Sequence, residues 1–326
     1  GDTNTAIRFP AADTFTVETG GSEALRVDSS GRLLIGTTTE GHADAANLTI
    51  ADASDCGITI RSGTSDFGSI YFSDATSGNA EHAGFIDYSH SSNALRIGTN
   101  ESTRLTIDSS GRLLIGTSTS RSIGAGSGYP GKLQVESSGF TNTTFTQNTN
   151  DIYGPEVNLG KSRGTSSGGT TVVQSGDQLG IIQFAGADGT DLETNAAAIE
   201  CKVDGTPGSN DMPGRLVFFT TADGAASPTE RLRITSAGIV RVPDDGKFSC
   251  GAGDDLNIYH SSNVNIIDTP TSRSLQIKGN GITLRTQGNE NYIACTENGS
   301  VDLYHDNSVR LATTADGVDI SGTGSL

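Results

Sequence analysis

Three of the five histidines stand beside a tyrosine and ahead of a polar turn: Tyr88-Ser89-His90, Tyr259-His260 and Tyr304-His305, each followed by Ser, Asp or Asn. On an axis shared by three chains, His90, His260 or His305 would form a ring of imidazoles able to hold a metal ion or an anion. The competing reading is a hairpin in which Tyr closes a strand and His starts the turn (HSSN, HDN). Turn chemistry explains every neighbour and is preferred. Adjacent carboxylates occur at Asp244-Asp245 and Asp254-Asp255. Two carboxyl groups roughly 5–10 Å apart can hydrolyse a glycoside, but PDDG and GDDL have the composition of turns. The D-x-D-x-D-G spacing of a calcium loop is missing. Gly-x-Ser-x-Gly has no strand–turn–helix setting. SIGAGSG (122–128) fits a phosphate cradle only loosely, since no helix follows. Cys56, Cys201, Cys250 and Cys295 include no CxxC pair, which removes zinc-ligand spacing and points to reduced thiols and assembly in a cytoplasm. Phe67, Tyr71, Phe72, Phe85, Phe184, Phe218 and Phe219 could stack on sugars, but as the scarce large apolar groups they are read as strand core. The residues therefore specify no catalytic set, no cofactor and no resident metal, and an enzyme is not expected.

The elements that would have to position such groups are short. Hydrophobic residues are 33% of 326, with 43 Gly, one Met and no Trp. A chain this poor in large apolar groups builds no thick core from itself, so the apolar residues it has are expected to be buried between chains. Disorder is the weaker option, because Leu, Ile and Val recur at alternate positions between Gly, Ser, Asp and Asn, the pattern of short strands and tight turns. The formal net charge of −17 repels phosphate backbones and anionic membranes, so no nucleic-acid partner and no membrane insertion are expected. No apolar run approaches the roughly 18 residues of a membrane span.

Repetition is the strongest signal. Residues 21–38 read GSEALRVDSSGRLLIGTT and residues 101–118 read ESTRLTIDSSGRLLIGTS; looser copies are PTERLRITSAGIVRV (228–242) and NSVRLATTADGVDIS (307–321). Each is a hairpin in outline. Leu25 and Val27 lead in, Asp28-Ser29-Ser30-Gly31 turns, and Leu33 and Ile35 return, with Asp capping the turn amides and Gly31, like Gly111, taking positive φ. One hairpin alone is marginal in water, so the units must cover one another or be covered by other chains.

Domain boundaries follow the repeats: an N-terminal hairpin module over 1–41, a β module over 42–118, a Gly/Ser/Thr-rich neck over 119–150, a β module over 151–245 and a C-terminal β-repeat module over 246–326. In the last, DLNIYH, NVNIID, SLQIKG, GITLRT, NYIACT, SVDLYH and GVDIS read as strands at a spacing suited to a β-prism or β-helix. ETNAAAIE (193–200) is the one stretch that reads as a short helix.

Four stretches resemble the distal fibre and virion-appendage proteins of tailed, particularly marine, bacteriophages. They are ALRVDSSGRLLIGTTT (24–39), FIDYSHSSNALRIGTN (85–100), the long string from Gly186 to Gly238, and DLNIYHSSN through YHDNSVRLATTADGVDISG (255–322). The resemblance implies an all-β, elongated homotrimeric fibre of short strands located on the virion, whose partners are its own copies, other tail proteins and a host-surface receptor, glycans included. Such fibres are often followed by an intramolecular chaperone of the endosialidase type. No chaperone residues match here, and a helical chaperone encoded beyond Leu326 is expected on the ground that identical repeats need help to register. Two alternatives stay open: a carbohydrate-degrading tailspike, and a cellular extracellular filament or adhesin of similar repeats.

Overall fold

The computed structural model describes residues 3–124, 130–270 and 274–322, so SIGAGSG lies partly, and the final SGTGSL largely, outside the described residues. The chain divides into two compact units. In the first, β1 (Ala6–Arg8), β2 (Phe15–Thr19), β3 (Ser22–Val27), β4 (Leu33–Ile35) and β5 (Leu48–Ile50) form one sheet in that order. A second sheet holds β6 (Phe67–Phe72), β7 (Gly84–Ser89), β8 (Ala94–Thr99), β9 (Ser102–Ile107), β10 (Leu113–Ile115) and β11 (Leu133–Val135). In the second unit, β12 (Gln178–Ala185), β13 (Asn195–Val203), β14 (Gly214–Thr220), β15 (Thr229–Ile234) and β16 (Val240–Arg241) form a third sheet. The fourth contains β17 (Phe248–Cys250), β18 (Leu256–Ser261) and β19 (Val264–Asp268); the fifth contains β20 (Gly281–Arg285), β21 (Asn291–Thr296), β22 (Val301–His305), β23 (Ser308–Thr313) and β24 (Val318–Ile320). The fold is all-β. Within each sheet every strand pairs with its neighbour in sequence and runs antiparallel to it, except for the parallel pairs β4–β5 and β10–β11.

The repeated hairpins account for much of this order. Asp28 Oδ1 accepts the N–H groups of Ser30 and Arg32 at 2.9 and 3.0 Å, and the Arg32 guanidinium donates to Oδ2 at 2.7 Å. Asp108 makes the same three bonds with Ser110 and Arg112. Gly31 and Gly111 have φ of 75° and 67°, as the turn demands. Five residues on, Gly36 (φ 70°) and Gly116 (φ 76°) return ladder bonds to the Ala24 and Arg104 carbonyls. A Cβ at either would collide with the carbonyl oxygen of Ala51 or Glu136, the chain that follows the parallel strand. These glycines therefore make room for β5 and β11. A parallel pair needs a crossover, and here it runs over one face of the sheet. Gly41 N–H donates to Thr49 Oγ1, whose register partner is Leu34, and Arg121 N–H donates to Gln134 Oε1, whose partner is Leu114. Leu34 and Leu114 are accordingly 1% and 0% exposed.

Two local expectations fail. The 193–200 stretch is no helix: Asn195–Val203 is the central strand β13, paired on both sides. Alanine is the best helix former, but intrinsic propensity is small beside two flanking ladders, which override it. Residues 274–278 of SLQIKG belong to no strand, although the pattern alternates as a strand should. The neck contains β11, and from 139 to 149 no regular structure.

Candidate functional site: the open faces of the sheets

The second and third sheets are built alike. Registers align Gly68, Tyr88, Leu95, Ile107 and Leu113 in one row of the second sheet, and Gly180, Cys201, Leu216, Ile234 and Val240 in the third. The next row on the same face is Ile70, Ile86, Ile97, Leu105 and Ile115, matched by Ile182, Ile199, Phe218 and Leu232. These faces are almost wholly apolar, yet Ile70 remains 49% and Ile182 53% exposed. The pattern continues in the smaller sheets, with Phe248, Ile258 and Ile267 in one row and Leu284, Ile293, Leu303 and Leu311 in another.

The opposite faces are the covered ones, and they carry the charges. Asp87, 5% exposed, takes both Arg96 nitrogens at 2.8 Å, and the Arg96 guanidinium lies 4.6 Å from the centroid of Phe67. The Asp87 hydrogen bond, against the cost of burial, raises the Arg96 pKa. In the third sheet Glu200 is buried beside Lys202, and Glu230 pairs with Arg233 through two short bonds. The single chain thus buries two carboxylates, Asp87 and Glu200, and leaves its aliphatic rows to solvent, the reverse of the usual preference. The exposed area reflects this. The chain exposes 23528 Å². A globular monomer of its mass would expose roughly 12,700 Å², and even five separate globules of a fifth of that mass only about 20,000 Å².

Residues singled out for chemistry are dispersed. His90 follows β7 and meets the Tyr88 ring edge-on at 5.1 Å. His260, in β18, contacts Asn265 Oδ1 and the Ser262 carbonyl at 3.0 and 2.9 Å. His305 ends β22 beside Asp306. The three stand in three different sheets, and among the described residues no group of three His, Cys, Asp or Glu side chains could hold a metal within one chain. Asp245 and Asp254 adopt positive φ, and Asp254 accepts a hydrogen bond from Ser249 at 2.7 Å, as turn residues do. All four cysteines are free thiols. Of the seven aromatics read as core, Phe85 is buried, packed over Gly98, whereas Phe67, Tyr71, Phe72 and Phe184 are exposed. Those four sit on the edge strands β6 and β12, where a pattern of alternation cannot reveal that one side has no neighbour.

No known family model matches the sequence, and no curated protein sequence does. Among solved structures, the chain is similar to the carboxy-terminal domain of the bacteriophage T5 L-shaped tail fibre, at 11% identity and a TM-score of 0.46, over 77% of this chain and 100% of that one. It is also similar to that domain together with its intramolecular chaperone domain, at 14% identity and a TM-score of 0.41, over 72% of this chain and 58% of that one.

Proposed function

We propose that the chain is a structural fibre subunit of a tailed-phage virion that associates as a homotrimer through the open faces of its sheets. The observation that carries the reading is the pair of matched aliphatic lattices, uncovered in a chain exposing 23528 Å². At about 25 cal/mol per Å², covering a few thousand square ångströms of such surface is a large driving force even after association costs. The occupant is the chain itself, because the same lattice recurs in sheet after sheet and identical copies in parallel register bring like rows together. The assignment to a phage fibre rests on the four resembling stretches, which also support virion tail proteins and a host-surface receptor, glycans included, as partners. The reading assigns no catalytic step, and repeated copies would give avidity to weak contacts.

Light scattering at micromolar concentration tests association. Three times the chain mass is expected, and Ile97→Asp in the middle of the lattice should shift the protein toward monomer. A well-folded wild-type monomer overturns the reading. Adhesion is tested separately: the labelled protein should decorate the bacterium that its phage infects and slow phage adsorption, and no decoration at saturating concentration removes the host-recognition part.

A further inference from the structure

β6 is an edge strand of six residues, FGSIYF, with no charge and no proline. Natural edge strands of this length are normally blunted by a lysine, a proline or a bulge, because a free row of N–H and C=O groups recruits another strand. The direction of each group follows from the ladder. His90 N–H donates to the Asp66 carbonyl at 3.1 Å, and Phe67 pairs with Ser89 in register, so even-numbered residues from Asp66 onward turn their backbone groups toward β7. Phe67, Ser69 and Tyr71 turn theirs away from the sheet, toward nothing among the described residues.

Close by is a strand without a sheet. Residues 55–62 read DCGITIRS and alternate as a strand does, yet no backbone hydrogen bond reaches them among the described residues. The segment passes over the open face beside Gly68, where a Cβ would lie 3.5 Å from Ile60 Cγ2. This seat is a poor one. Ile58 stays 70% and Ile60 47% exposed, and a cavity of 330 Å³ remains between them and Ile70, Ile86 and Leu95. The second unit repeats the arrangement. Among the described residues, 155–160 find no backbone hydrogen bond, Leu159 leans on Gly180, and the neighbouring edge strand β12, QLGIIQFA, is again uncharged. A strand-patterned segment without backbone partners beside the free edge of β6 calls for a partner strand.

We infer that residues 57–61 of one copy add as a strand to the free edge of β6 in the next copy. Each chain then gives one strand and receives one, a head-to-tail exchange that closes on itself with three-fold symmetry. Main-chain bonds supply the attachment and the alternating Ile58 and Ile60 fill the aliphatic rows. The inference rests on the homotrimer reading and adds to it which backbones meet.

Two measurements test it. Ser69→Pro removes an N–H aimed away from the sheet and leaves the β6–β7 ladder intact, a substitution that a true edge tolerates. If the edge is paired in the assembly, the concentration for half-dissociation should rise at least tenfold. The second arm does not depend on how well that variant folds. Two differently tagged copies are co-expressed with the native cysteines changed to Ser, one carrying Thr59→Cys and the other Ser69→Cys or Tyr71→Cys. A disulfide-linked heterodimer on a non-reducing gel is the expected result. A wild-type trimer whose Ser69→Pro variant assembles normally and yields no heterodimer overturns the exchange and spares the fibre reading. A wild-type monomer removes both.

Discussion

The first two copies of the repeated hairpin and the third share a turn and differ in everything built on it. In the third, Gly238 has φ 74°, Gly238 N–H donates to the Thr235 carbonyl at 2.9 Å, and Thr235 N–H to the Ile239 carbonyl at 3.0 Å, the same loop as at Asp28 and Asp108. Thr235 now stands where the other copies have Asp. Thr235 Oγ1 accepts the Ile239 N–H at 3.2 Å, as Asp28 accepts that of Arg32, and a carboxylate reaches the turn only from outside: Asp204, 32 residues earlier, accepts the Ser236 N–H at 2.9 Å and binds Arg215 at 2.8 Å. Five residues after the turn glycine, Pro243 replaces Gly36 and Gly116. Proline has no N–H to continue the ladder. β16 is two residues long, and no parallel strand or crossover follows. At the position of the buried Leu34 and Leu114 the third copy has the exposed Arg241. Of these differences, Pro243 is the one that removes the N–H with which Gly36 and Gly116 continue the ladder.

Transplanting that residue is the strongest way to break the comparison. Gly116→Pro should remove a ladder bond, drive ring atoms into the Glu136 carbonyl and uncover Leu114, at a cost of about 3 kcal/mol or more in denaturant unfolding at fixed chain concentration. Pro243→Gly, the reverse exchange, should change stability by less than about 1 kcal/mol, since no strand waits to pair there. Equal effects at the two sites would show that the crossover does not depend on the glycine.

A smaller effect sharpens what the copies share. Valine at Gly31, Gly111 or Gly238 should cost about 1 kcal/mol or more at each, because all three hold positive φ and a β-branched residue resists it. Open space surrounds all three, so backbone conformation alone sets the penalty. A cost confined to the first two copies would mean that the third turn is not equivalent.

The smallest effect is in acid. The Arg32 N–H and guanidinium and the Ser30 N–H hold the Asp28 carboxyl below its ordinary range. Burial pushes Asp108 up, but the bonds from Arg112 and Ser110 outweigh it and the net shift is downward. The Ser236 N–H, then Arg215, lower Asp204 to about 2. A depressed folded-state pKa contributes stability that is present above the unfolded value, near about 3.9, and is lost as pH falls through the folded one. The unfolding midpoint should therefore be flat above about pH 5 and decline below about pH 4. Asp108→Thr should remove the share of the second hairpin and leave that of the third, whereas Asp204→Asn should do the opposite. A midpoint indifferent to pH 3 would show that the clamps contribute nothing.

Much of this was legible in the residues, and what was missed has a pattern. Asp28, Gly31 and the alternating Leu33 and Ile35 specify a hairpin because each acts within five residues. The roles of Gly36 and Gly116 depend on a strand that arrives 12 or more residues later, and Asp204 reaches its turn from another strand. Nothing near these positions marks them. The 193–200 stretch reads as a helix by composition, and Asn195–Val203 becomes a strand because β12 and β14 pair on both sides.

By itself the sequence determined an all-β chain of short strands, the position of its repeated turns, and two unlike faces along every strand, since a period of two sorts side chains without reference to anything distant. Only the tertiary structure decided which face is covered. Crossovers and ion pairs settle on the charged side, where Asp87 and Arg96 satisfy each other, and the aliphatic rows stay open. Alternation is symmetric with respect to that choice, because the cover comes from chain remote in sequence.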